Sequence, residues 1–166
     1  MKRLIALFCL AVAMAGPAFA AIAVGDIPPD YLGRNPGGDE VRVSDQRGKV
    51  VVITFWASWC GYCRKELPVL AGLQDVAGKD RVEVIAVNYE DDRDVYRALR
   101  RKLKNVQLTM THDQSGEIGR AYGVQGIPRL FMIDRQGRVA YIHSGYGDSS
   151  IDEIVKAVNK LLATPT

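Results

Sequence analysis

The sequence predicts an α/β domain built around a parallel β-α-β unit. Two apolar runs, 50–57 and 82–89, are each long enough for a strand, and a segment with helical periodicity lies between them. A later pair of short apolar runs around Gly137 reads as a hairpin, and a closing amphipathic segment reads as a last helix.

The elements follow in order. Residues 25–40 hold Pro28, Pro29, Gly33, Pro36, Gly37 and Gly38, which predicts an irregular arm over 21–40. Val41 and Val43 alternate with polar neighbours as a half-buried strand does, and Gly48 turns the chain into the next run. Val50, Val51, Val52, Ile53 and Phe55 are nearly continuous, the pattern of a central strand buried on both faces. A helix starting near Cys60 carries Leu67, Leu70, Leu73 and Val76 inward and fades at Gly78. After the strand at 82–89 comes a helix over 91–104, with Val95, Leu99 and Leu103 on its apolar stripe. Arg97, Arg100, Arg101, Lys102 and Lys104 lie elsewhere on it, and that basic face is read as solvated, with steering of an acidic partner as the alternative. A short strand at 106–111, a short helix at 115–122, the hairpin of 130–133 with 139–143 and a helix over 149–162 complete the chain. The last helix should face inward with Ile151, Ile154, Val155, Val158 and Leu161. The domain is expected to span 41–163.

Residues 1–20 read as a secretory leader. Lys2 and Arg3 precede an apolar run too short to span a bilayer comfortably, and Ala18-Phe19-Ala20 forms a small-residue cleavage site. Cleavage would remove Cys9 and leave Cys60 and Cys63, an even count suited to the oxidising periplasm. It would also leave 146 of 166 residues, a common single-domain size, with 20 basic residues against 19 acidic ones. That balance of +1 gives no reason to expect nucleic acid as a partner.

Cys60 and Cys63 stand where strand becomes helix, in Trp59-Cys60-Gly61-Tyr62-Cys63. A helix beginning near Cys60 puts both thiols on one face, close enough to join without moving backbone. The helix N-terminus favours a thiolate at Cys60, so Cys60 should attack and Cys63, one turn deeper, should resolve the mixed disulfide. A closed zinc site would need further soft ligands, for which only His112 and His143 are present, and neither lies in a second paired motif. A permanent staple across so short a loop constrains the unfolded chain little.

With these pieces placed, the chain resembles the thioredoxin superfamily, and more narrowly the periplasmic TlpA, ResA and CcmG group of thiol-disulfide oxidoreductases. The matching stretches are Gly48-Lys49-Val50-Val51-Val52, Phe55-Trp56-Ala57-Ser58-Trp59-Cys60, Cys63-Arg64-Lys65-Glu66-Leu67-Pro68, Gly126-Ile127-Pro128 and Ile133-Asp134. The resemblance implies a thioredoxin-like three-layer α/β/α sandwich with a mixed central sheet and flanking helices. It implies catalysis by Cys60 and Cys63, with Glu66 exchanging a proton with the resolving thiol. It gives Pro128 a cis peptide bond beside the disulfide, where local sequence alone reads a plain turn proline. Ile127 would then contact an extended substrate, Trp59 would shield the disulfide, and Pro68 corresponds to a helix kink. Gly61, Tyr62 and Arg129 complete the expected substrate surface. No cofactor or metal is implied, because the electrons are held in the two cysteines. The expected partners are disulfide-bearing proteins such as apocytochrome c, together with a membrane thiol donor, and the protein is expected to be a monomer.

Three departures bear on mechanism. Thr54 stands where thioredoxins carry a buried Asp, leaving Glu66 as the substitute proton carrier. Gly61-Tyr62 replaces Gly-Pro and also occurs in disulfide isomerases of the Dsb type. Arg129 follows Pro128 where many relatives have Thr, and with Arg64 it would add positive charge near Cys60 and make the disulfide more oxidising. An isomerase or oxidant is therefore the alternative enzyme, although no length remains for a dimerisation region. A peroxiredoxin would need Pro and Thr before its reactive Cys, which 56–59 lack. A copper-binding module using the two thiolates is the alternative outside enzymes.

Overall fold

The computed structural model describes residues 21–147 and 149–164, so the leader expected at residues 1–20 lies outside the described residues. A two-stranded antiparallel sheet, β1 (Tyr31–Arg34) and β2 (Glu40–Arg42), precedes the main sheet. Then come β3 (Val50–Trp56), α1 (Gly61–Ala77), β4 (Val82–Tyr89), α2 (Arg93–Lys102), β5 (Thr109–Asp113), α3 (Glu117–Ala121), β6 (Arg129–Ile133), β7 (Val139–Ser144) and α4 (Ser150–Ala163). The main sheet runs in the order β5-β4-β3-β6-β7, with β3, β4 and β5 parallel to one another, β6 antiparallel to β3, and β7 antiparallel to β6. This is the expected mixed sheet.

Every residue of β3 is buried, because each of its faces meets a different layer. Val51, Ile53 and Phe55 point into a core completed by Leu32, Val41, Val43, Ile118, Tyr122 and Phe131, beneath β1, β2 and α3. Val50 and Val52 point the other way, against Leu70 of α1 and Ile154 and Val158 of α4. Further along that second face, Trp56 packs with Cys60, Cys63, Leu67 and Tyr96, where α1 and α2 meet the sheet. Each fully buried Leu, Ile or Phe contributes about 2–3 kcal/mol, so the strand that ends at the cysteines is among the most firmly held parts of the molecule. The hairpin after β6 closes on Asp134, whose Oδ1 accepts from the N–H groups of Gln136 and Arg138 at 3.0 and 2.8 Å.

The structure corrects four expectations. The arm over 21–40 is not irregular throughout: the Pro and Gly signals mark the turn at 35–38, but Tyr31–Arg34 between them pairs as β1. Gly33 hides that strand in the sequence, and it is required there, since its φ is +100° and an added Cβ would lie 3.1 Å from Thr111 Cβ. On α1, Val76 is 91% exposed rather than inward. A repeat of three falls short of the 3.6-residue turn and drifts around the helix, so the buried set is Cys63, Glu66, Leu67, Leu70, Ala71 and Gln74. On α2 the inward stripe is Tyr96, Leu99 and Leu103, and Val95 is exposed. The short strand expected at 106–111 forms instead at Thr109–Asp113.

Candidate active site

β3 ends at Trp56, and a short loop delivers Cys60 to the start of α1. Cys60 is the N-cap, with extended backbone angles of −83° and 100°, and its Sγ accepts from the Cys63 N–H at 3.1 Å. A sulfur thus fills the place usually taken by a capping oxygen, in reach of an unsatisfied first-turn N–H. Cys60 and Cys63 are joined as a disulfide with their Cα atoms 5.3 Å apart, inside the range that needs no backbone movement. Cys60 keeps 6% exposure and Cys63 none, so an incoming thiol or disulfide meets Cys60 first.

The loop before Cys60 is held by a residue that the sequence does not reveal. Asp91, 5% exposed beyond the end of β4, accepts from the Ser58 N–H at 2.7 Å, the Ser58 hydroxyl at 2.8 Å and Asn88 Nδ2 at 2.7 Å. Its backbone carbonyl lies 2.8 Å from His112 Nε2. In the sequence Asp91 looks like one more polar residue at a helix start, and its partner Ser58 is 33 positions away. Asp91→Ala strands three donors in a closed site, and is expected to lower stability by about 2–4 kcal/mol, read as a shift in the urea midpoint. An unchanged midpoint would show that the clamp contributes nothing.

Glu66 is not a solvated helix charge. It is 1% exposed and faces the sheet beside Cys63 and Leu67 on α1. The Thr54 hydroxyl donates to Glu66 Oε2 at 2.8 Å. Oε1 is buried with no partner among the described residues. Burial pushes the carboxyl up to about 7, against which the Thr54 hydrogen bond pulls more weakly. Thr54 of β3 therefore holds the buried Glu66 carboxyl across the gap between the sheet and α1.

The remaining expected residues divide by exposure. Trp59 and Tyr62 are 68% and 61% exposed, with Lys65 Nζ 5.9 Å from the centre of the Tyr62 ring, so both aromatics form rim rather than core. Gly61 is exposed between them. The Ile127–Pro128 peptide is cis. Ile127 packs against the cluster that contains both cysteines, and among the described residues its main chain joins no turn or loop hydrogen bond. Strand pairing begins only at Arg129, opposite Phe55. The Arg129 guanidinium is engaged with Ser144 Oγ and lies 5.4 Å over the Phe131 ring. Pro68 sits inside α1 without ending it. Among the described residues, no group of three or more His, Cys, Asp or Glu is placed to hold a metal ion.

Dithiol-disulfide exchange is the reaction open to such a pair, and the sheet order, the cysteine cap and the cis proline together define a thioredoxin-fold thiol-disulfide oxidoreductase. The chain belongs to the Redoxin family, whose model matches residues 13–161. It is 33% identical over 125 residues to the thiol-disulfide oxidoreductase ResA of Geobacillus thermodenitrificans, covering 75% of this chain and 71% of that one. It is 32% identical over 131 residues to the thiol:disulfide interchange protein HelX of Rhodobacter capsulatus, covering 77% and 71%. Among solved structures, one described as thiol:disulfide interchange protein DsbE from Chlorobium tepidum superposes with a TM-score of 0.78 at 32% identity, over 86% of this chain and all of that one.

Proposed function

We propose that the protein is exported by its leader and reduces disulfides on selected extracytoplasmic proteins, apocytochrome c among them, as a monomer recharged by a membrane thiol donor. The observation that carries the exchange chemistry is the buried carboxyl oxygen of Glu66, without a partner among the described residues, on the helix turn after Cys63; the direction is what the reduction potential below tests. A group that ionises near 7 can hold the proton of a resolving thiol and return it within one turnover. The leader and the mature domain beginning at Ala21 rest on the sequence pattern. Among the described residues, no helix is long and apolar enough to cross a membrane.

In the reduced enzyme the Cys60 thiolate attacks a substrate disulfide. A Cys60–substrate bond forms, the substrate S–S bond breaks, and the leaving substrate thiolate takes a proton. Cys63 then passes its proton to Glu66 and attacks Cys60 Sγ. The Cys60–Cys63 bond forms, the second substrate thiolate leaves and is protonated, and two electrons have passed to the substrate. The exposed rings of Trp59 and Tyr62 and the open main chain of Ile127 supply the docking surface, with Pro128 and Arg129 at its edge.

The reduction potential of the Cys60–Cys63 pair tests the direction, by equilibration with dithiothreitol or glutathione buffers. A value near or below about −270 mV is expected; one between about −180 and −120 mV would make the protein an oxidant or isomerase.

A further inference from the structure

The α2 face read as solvated in the sequence borders a groove. Four arginines, Arg34 from β1 and Arg93, Arg97 and Arg100 from α2, line it together with Tyr96 and His112. The shift of the inward stripe from Val95 to Tyr96 has this consequence: positions 93 and 100 are neighbours of Tyr96 on the helix surface, and position 97 is a neighbour of both of them. Arg34 and Arg97 have acidic partners in Glu40 and Asp94, at 2.6 and 3.8 Å, whereas Arg93 and Arg100 have none among the described residues. The charge continues past Arg100 into an adjoining hollow lined by Arg101 and Lys104. In a protein whose basic and acidic residues nearly balance, this is a local excess.

The floor of the groove carries an independent sign of a ligand. Tyr96 is 6% exposed and its hydroxyl has no hydrogen-bond partner among the described residues. An orphaned buried hydroxyl costs about 1–3 kcal/mol. Burial raises its pKa while Arg100 opposes the shift, so the hydroxyl is a proton donor at neutral pH. Its ring is stacked 4.5 Å from His112, and His112 Nε2 lies 2.8 Å from the Asp91 carbonyl. Tyr96 also packs in the same buried cluster as Cys60 and Cys63. The groove therefore lies on the outer side of the cluster that holds the redox pair.

We infer that this groove binds carboxylates of an acidic segment on the protein partner, anchoring it while its disulfide meets Cys60; the inference rests on the disulfide-exchange reading above. Arginine forks suit carboxylates, and the Tyr96 hydroxyl supplies the neutral donor. A recess with an aromatic floor fits a side chain better than it fits the flat surface of a bilayer.

The experiment separates anchoring from chemistry. Binding of an aspartate-rich peptide without cysteine is measured by calorimetry, for the wild type, for Tyr96→Phe, and for the triple variant Arg93→Gln/Arg97→Gln/Arg100→Gln. We expect saturable binding that weakens about tenfold or more in the triple variant and at about 0.5 M salt. Tyr96→Phe should weaken it about three- to tenfold; a purely structural tyrosine would lose nothing with its unpartnered hydroxyl. No binding by the wild type, or binding that both variants retain, overturns the inference. So does triple-variant-sensitive association with phosphatidylglycerol vesicles in the absence of peptide binding, which would assign the charge to a membrane. Disulfide-containing peptides flanked by aspartates or by serines are then compared as substrates. A higher kcat/KM for the aspartate peptide, carried in KM, supports the anchor. Peptide binding with no reduction of either substrate would leave the anchor standing and overturn the reductase reading.

Discussion

Cys63→Ser is expected to convert the protein into a covalent trap. Cys60, at the helix N-cap and retaining the pair's only exposure, still attacks a substrate disulfide. The serine in place of Cys63 cannot attack Cys60 Sγ, so the mixed disulfide persists. Non-reducing gels with a disulfide peptide should show a stable adduct near one equivalent, and turnover should fall by about a thousandfold or more. Cys60→Ser should lose turnover to the same extent and form no adduct, since Cys63 is wholly buried. An adduct through Cys63 in that variant would reverse the two roles.

Glu66→Gln should change the pH dependence of both stability and rate. In the folded protein the carboxyl ionises near 7 instead of its ordinary 4.5, because burial penalises the charge. A raised pKa means that folding favours the protonated form. The benefit is complete below about 4.5, is lost as pH rises towards 7, and is absent above it, a swing of about 3 kcal/mol. Glutamine cannot ionise and should remove that swing, so the oxidised variant should match the wild type near pH 4 and exceed it in urea midpoint near pH 8. Equal slopes in the two proteins would place the Glu66 carboxyl at its ordinary value. In kinetics, the variant should lose the limb near pH 7 from the resolving step while Cys60 attack continues. A profile identical to that of the wild type would remove Glu66 from proton transfer.

Much of this arrangement was legible along the chain. The run 50–56 could only be a doubly covered strand, and a thiol pair at its end, spaced for one helix turn, already implied exchange chemistry with Cys60 in front. Those inferences depend on neighbours close in sequence. The placement of Glu66 was half legible: its spacing from Cys63 put it on the same face of α1, but α1 alone does not say that the face lies against Thr54. Local pattern misled where two periodicities compete, as at Val76 and Val95, and where a glycine interrupts a strand, as at Gly33.

The sequence by itself determined the layered α/β domain and the strand-to-helix thiol site, since these follow from apolar periodicity and from the spacing of two cysteines at a helix start. Only the tertiary structure decided the rest. Asp91 grips Ser58 across 33 positions, β3 brings Thr54 under Glu66, and α2 turns so that Tyr96 goes inward among arginines. Burial and long-range hydrogen bonds are properties of packed surfaces, and neither exists until the layers close.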